Sequence, residues 1–105
     1  MQPESQQMAE LVERIVSVAR PLKVILFGSA ARGEMKDDSD LDVLVVVPEG
    51  TPCRQVAQRL HMNLFGIPFG VDLMVTTPSI LEKHRKNIGL VYHAILKEGK
   101  ELYAA

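Results

Sequence analysis

The chain has 105 residues, a net charge of −1 and a hydrophobic fraction of 47%, which is typical of a single folded domain. The near-neutral charge argues against strong nucleic-acid binding, which is driven by bulk electrostatics. No apolar run approaches the roughly 20 residues that span a bilayer, and the only cysteine, Cys53, cannot form an internal disulfide. We therefore expect one cytoplasmic domain over residues 1–105, without a membrane partner.

The first half of the chain predicts one long helix followed by two strands. Apolar residues recur at three- and four-residue spacing before Pro21, which indicates an amphipathic helix. Short β-branched runs follow and indicate strands. In chain order, the predicted elements are a helix over 4–20, a strand over 23–27, a turn at Gly28-Ser29, a short helix over 30–32, a charged loop over 34–39 and a strand over about 41–47.

The second half of the chain predicts further helices that alternate with strands. Thr51-Pro52 and Thr77-Pro78 each predict an N-cap followed by proline at the first helical position. The predicted elements are a helix to about Leu64, a strand over 71–75, a helix over 79–86, a helix over 90–98 that Gly99 ends, and a short edge strand over 101–103. Alternating helices and strands predict an α/β fold with a small sheet.

Three aspartates carry the strongest indication of chemistry. Asp40 and Asp42 open the second predicted strand and share one face of it, because strand side chains alternate. Asp72 interrupts an otherwise apolar strand, where a charge is costly unless it is compensated. If this strand pairs beside the second one, the three carboxylates meet, and hard oxygen ligands of this kind suit Mg²⁺.

Gly28-Ser29 follows the first strand and predicts a phosphate site. A glycine lets a phosphate approach the backbone closely, and a helix that begins here would present free N–H groups to an anion. Arg32 lies four residues after Gly28. Two roles stay open for it: contact with a triphosphate, or an ion pair with Glu34, Asp37 or Asp38.

The spacing of these motifs resembles that of the minimal nucleotidyltransferases of the DNA polymerase β-like superfamily. The matching segments are 28–33 (GSAARG), 38–43 (DSDLDV), 89–92 and 97–103. The resemblance implies a small mixed β-sheet flanked by helices, with ATP and two Mg²⁺ ions as co-substrate and cofactors. It implies the following roles: Gly28 and Ser29 bind the nucleotide triphosphate, Asp40 and Asp42 ligate metal, and Asp72 completes the catalytic and metal-binding triad. Arg32 is a further candidate for nucleotide binding.

The short chain and its GSxARG motif further resemble the antitoxins of HEPN/MNT toxin–antitoxin pairs. That resemblance implies transfer of AMP from ATP to a tyrosine of a HEPN ribonuclease partner. Two alternatives remain: transfer to a small-molecule hydroxyl, and a non-catalytic module that neutralises a toxin by contact.

Three further features have ordinary interpretations. The histidines at 61, 84 and 93 lack metal-ligand spacing. The basic run over 83–86 indicates a solvated helix face, with a docking patch as the alternative. The apolar residues over 90–95 belong either to the core or to a subunit surface, which would make the protein a homo-oligomer.

Overall fold

A computed structural model describes residues 5–28, 40–67, 70–84, 95 and 99–105. Three helices and four strands lie within these residues: α1 (Ser5–Ala19), β1 (Lys23–Phe27), β2 (Leu41–Val46), α2 (Cys53–Asn63), β3 (Val71–Thr76), α3 (Pro78–His84) and β4 (Lys100–Ala104). No helix in this part of the chain is long and apolar enough to cross a membrane.

The strands form one mixed sheet in the order β3-β2-β1-β4. β1 pairs antiparallel with both β2 and β4, and β2 pairs parallel with β3. Parallel neighbours require a crossover connection, and α2 lies within the segment that supplies it. The predicted α/β fold with a small mixed sheet is therefore confirmed.

One face of the sheet is covered by α1 and α2. Alternate residues of β2 point to this face and are buried, because the strand has a period of two. The larger core cluster contains Leu11, Ile15, Ala19, Val24, Leu26, Leu41, Val43, Val45, Val47, Val56 and Leu60. Each fully buried Leu, Ile or Val contributes about 1.5–3 kcal/mol relative to exposure, so this face anchors β2 in the sheet.

The opposite face carries a smaller apolar cluster. Its buried members are Phe27, Leu44, Val46 and Ile95, with Ile25, Met74 and Leu81 packed against them. Asp42 shares the strand face of Leu44 and Val46. The smaller cluster therefore stops where the acidic residues begin.

The predicted boundaries agree closely with those of α1 and the strands. β1 has the predicted bounds, β2 and β3 differ by one residue at one end, and the predicted edge strand is β4. Arg20 ends α1 in the left-handed region with φ of 47°, and its N–H donates to the Val16 carbonyl at 2.9 Å. Pro21 follows immediately, as the sequence predicted.

One predicted helix cap is wrong and the other is confirmed. Pro52, not Thr51, is the N-cap of α2, with φ −75° and ψ 94° and without a side-chain cap bond. Thr51 lies in the preceding turn, where its N–H donates to the Pro48 carbonyl at 3.2 Å. Thr77 does cap α3, because its Oγ1 accepts the Ile80 N–H at 3.5 Å.

Several predicted elements lie outside the described residues. These are the short helix over 30–32, the loop over 34–39 and most of the helix over 90–98. Ile95 is helical, and the Gly99 N–H donates to its carbonyl at 2.8 Å. This bond fits the predicted helix end at Gly99.

Candidate functional site

Four of the predicted site residues lie at one edge of the sheet. β2 and β3 both begin there, and β1 ends there because it runs antiparallel to β2. Gly28 directly follows β1, Asp40 directly precedes β2, and Asp42 and Asp72 are the second residues of β2 and β3. The topology thus brings together segments that are far apart in sequence.

Asp42 and Asp72 are register partners on the parallel strands β2 and β3. Register partners project to the same face, and neighbouring strands lie about 4.8 Å apart. On its other side, Asp42 is paired with Phe27 of β1, which is buried. Asp42 is half-buried, whereas Asp72 is exposed on the outer strand of the described sheet. Asp72 is therefore the more accessible carboxylate to an incoming molecule.

Gly28 provides the space that the Asp42 carboxylate occupies. A Cβ atom built on Gly28 would collide with Asp42 Oδ2 and would lie 3.2 Å from its Cγ. The backbone of Gly28 also has φ of 72°, in the left-handed region that favours glycine. Two independent constraints therefore require glycine here, one on the backbone and one on the neighbouring carboxylate.

Gly70 likewise leaves space for the Asp40 carboxylate, because it has no side chain. The Leu41 N–H donates to the Gly70 carbonyl at 2.9 Å, which holds the beginnings of β2 and β3 together. A Cβ atom on Gly70 would lie 2.7 Å from Asp40 Cγ. In the sequence Gly70 is typical of a turn, and its position directly before the strand of Asp72 is the one local signal of this contact.

The carboxylates of Asp40, Asp42 and Asp72 are hard oxygen donors, the type of ligand that a divalent cation such as Mg²⁺ prefers. Like charges directly opposite on one face of a sheet destabilise each other, and a hard cation between them would remove this repulsion. The spaces at Gly28 and Gly70, which a Cβ would fill, admit the carboxylates of Asp42 and Asp40. In the described part of the chain, no three His, Cys, Asp or Glu side chains converge closely enough to hold an ion.

Two predicted nucleotide-binding residues, Ser29 and Arg32, lie outside the described residues. Their roles stay predictions. Cys53 is half-buried, with its Sγ 3.7 Å from the Thr51 carbonyl oxygen. This contact and the partial burial are typical of a packed thiol.

Comparison with known families identifies the domain. The sequence profile of the nucleotidyltransferase domain matches residues 6–102. This range contains all the described helices and strands except the first residue of α1 and the last two residues of β4. No curated protein sequence matches the chain significantly.

Solved structures share the fold at low sequence identity. A Sulfolobus solfataricus protein described as a nucleotidyltransferase has a TM-score of 0.61 and 24% identity, over 94% of this chain and 78% of that one. A variant of the toxin–antitoxin pair MntA-HpeT has a TM-score of 0.58 and 16% identity, over 93% and 73%. A toxin–antitoxin structure with AMP-PNP has a TM-score of 0.54 and 20% identity, over 91% and 73%.

Proposed function

The chain belongs to the nucleotidyltransferase domain family, and from this premise we propose that it transfers AMP from ATP to a tyrosine hydroxyl of a HEPN-family toxin, with Mg²⁺ as cofactor. The observation that carries the proposal is the register pairing of Asp42 with Asp72, beside a glycine whose missing side chain makes room for Asp42. Carboxylates on one face at a strand edge, next to a predicted phosphate turn, suit phosphoryl chemistry.

The reaction assigns a separate task to each part of the site. The acceptor oxygen forms a bond to the α-phosphorus of ATP, the bond from this phosphorus to the bridging oxygen breaks, and pyrophosphate leaves. Asp40 and Asp42 would hold the magnesium, which neutralises phosphate charge when bound. Asp72 is exposed, so it is suited to orient the acceptor hydroxyl and accept its proton. Gly28, Ser29 and Arg32 would bind the triphosphate.

The choice of a protein acceptor is supported by accessibility and by the fold neighbours. Asp72 lies on an outer strand of the described sheet and is exposed, so the large surface of another protein can approach it. Two of the structural neighbours are toxin–antitoxin structures, one of them with AMP-PNP, an ATP analogue. Both observations favour a macromolecular acceptor over a small molecule, which needs a walled pocket.

The direct test is label transfer from ATP labelled in its α-phosphate. The purified protein is incubated with the labelled ATP, Mg²⁺ and the product of the adjoining gene, as the candidate HEPN partner. We expect label on the HEPN protein, and its loss by at least about 100-fold in Asp42→Asn. Glu13→Gln is the matched control, because it makes the same carboxylate-to-amide change at an exposed position of α1.

Two results would contradict the proposal. Absence of label while the folded protein still binds its partner would favour a binding-only antitoxin. Equal transfer by Asp42→Asn and the wild type would show that the carboxylates of Asp40, Asp42 and Asp72 do not carry the chemistry in the proposed way.

A further inference from the structure

We infer that Gly70 is a positioning residue for Asp40, an inference that rests on the proposed function for its catalytic consequence but not for its structural one. The register of β2 and β3 pairs Leu41 with Val71. Continued by one residue beyond the strands, it sets Asp40 opposite Gly70. The pair Asp42–Asp72 lies two residues further along, on the same side of the sheet.

The space beside Asp40 exists because position 70 has no side chain. A Cβ there would collide with Asp40 Oδ1 and would lie 2.7 Å from its Cγ, closer than real Cβ atoms approach a neighbour. The opposing atom belongs to a short side chain that leaves the backbone at the fixed beginning of β2, where the Leu41 N–H is bonded to the Gly70 carbonyl at 2.9 Å. Any larger residue at position 70 therefore forces the Asp40 carboxylate to turn away.

Glycine is not required at position 70 by its backbone. Glycines with φ in the left-handed region are Gly28, Gly50 and Gly66 among the described residues, and Gly70 is not one of them. Alanine at position 70 thus disturbs the carboxylate without straining the backbone. Gly50 offers the opposite case, since its φ is 85° and no atom of the residues that the structure describes lies within 4 Å of an added Cβ.

A double-mutant cycle between positions 70 and 40 isolates the contact of Gly70 with Asp40, and Gly50 provides the control. The variants are Gly70→Ala, Asp40→Ala and their combination, with Gly50→Ala in both backgrounds as the matched control. Urea unfolding without metal is expected to show a lower midpoint for Gly70→Ala in the wild-type background. In the Asp40→Ala background the same change should be neutral or raise the midpoint, because alanine is better tolerated than glycine in extended chain. Gly50→Ala should lower the midpoint equally in both backgrounds.

A second readout connects the contact to the site. Gly70→Ala is expected to weaken Mn²⁺ binding, measured by calorimetry, and to lower AMP transfer by about tenfold or more, because a displacement of about 1 Å at a reacting centre can cost about 100-fold. A midpoint that falls equally with and without Asp40 would overturn the inference. So would unchanged Mn²⁺ affinity and transfer in Gly70→Ala. If the cycle holds while the wild type transfers no AMP, the proposed function fails and the structural role of Gly70 stands.

Discussion

Replacement of Asp72 by asparagine removes one of two negative charges that project from the same face of the neighbouring strands β2 and β3. Neighbouring strands lie about 4.8 Å apart, and two unit charges at about 4 Å repel by about 1 kcal/mol in a water-like dielectric. Asp72 is exposed and Asp42 is half-buried, so a value near this lower limit is appropriate. It also agrees with the roughly 0.2–1 kcal/mol found for cross-strand pairs.

We therefore expect Asp72→Asn to raise the free energy of unfolding by about 1 kcal/mol in the absence of metal, which corresponds to about 4–8 °C in Tm for a domain of this size. The assay is urea and thermal unfolding followed by circular dichroism at low ionic strength. The gain should shrink in high salt, which screens exposed charges. Saturating Mg²⁺ should stabilise the wild type more than the variant, because the Asp72 charge strengthens cation binding beside the proposed ligands Asp40 and Asp42, and a ligand stabilises the state that binds it.

The matched control is Glu13→Gln, which should change stability by less than about 0.5 kcal/mol as an exposed helix substitution. The reasoning is refuted if Asp72→Asn is destabilising without metal, or if its gain is the same at low and high salt. Such a result would mean that Asp42 and Asp72 do not repel each other across the two strands.

Three further predictions concern single contacts. Each is checked by urea unfolding, and the first also by AMP transfer. Gly28→Ala should lower stability by about 1–2 kcal/mol and reduce AMP transfer, because it strains a left-handed residue and displaces Asp42; unchanged transfer would contradict this. Thr76→Val should raise stability by about 1 kcal/mol, because the buried Oγ1 has no hydrogen-bond partner among the described residues; a loss would reveal a partner elsewhere in the chain. Glu49→Gln should cost about 1 kcal/mol, since its carboxylate accepts the Ser79 N–H at 2.6 Å and the Ser79 hydroxyl at 2.9 Å; a neutral effect would contradict it.

The secondary structure was largely predictable because it depends on the spacing of apolar and β-branched residues that are close together in sequence. The apolar period of α1 and the β-branched runs of β1 and β2 depend only on which faces are buried. The cap of α2 was missed for a local reason as well. A Thr-Pro pair is compatible with two arrangements: threonine as the N-cap with proline as the first helical residue, or threonine in a turn with proline as the N-cap. The hydrogen bond from the Thr51 N–H to the Pro48 carbonyl places Thr51 in a turn.

The arrangement of the site was predictable only in part. Asp40, Asp42 and Asp72 were recognised from their positions in or directly before strands. That they lie at the same end of the sheet depends on the pairing of β2 with β3, which no local pattern determines. The role inferred for Gly70 follows from that same register. A glycine before a strand looks like an ordinary turn residue, and its relation to Asp40 emerges only when the two strands are aligned.

The account is tested most directly by the intact mass of the proposed HEPN partner after incubation with the protein, ATP and Mg²⁺. We predict that the partner gains the mass of one or more AMP groups, that fragmentation assigns them to tyrosine, and that Asp42→Asn abolishes the gain while Glu13→Gln preserves it. An unchanged mass, measured on a partner that still forms a complex with the protein, would contradict the account.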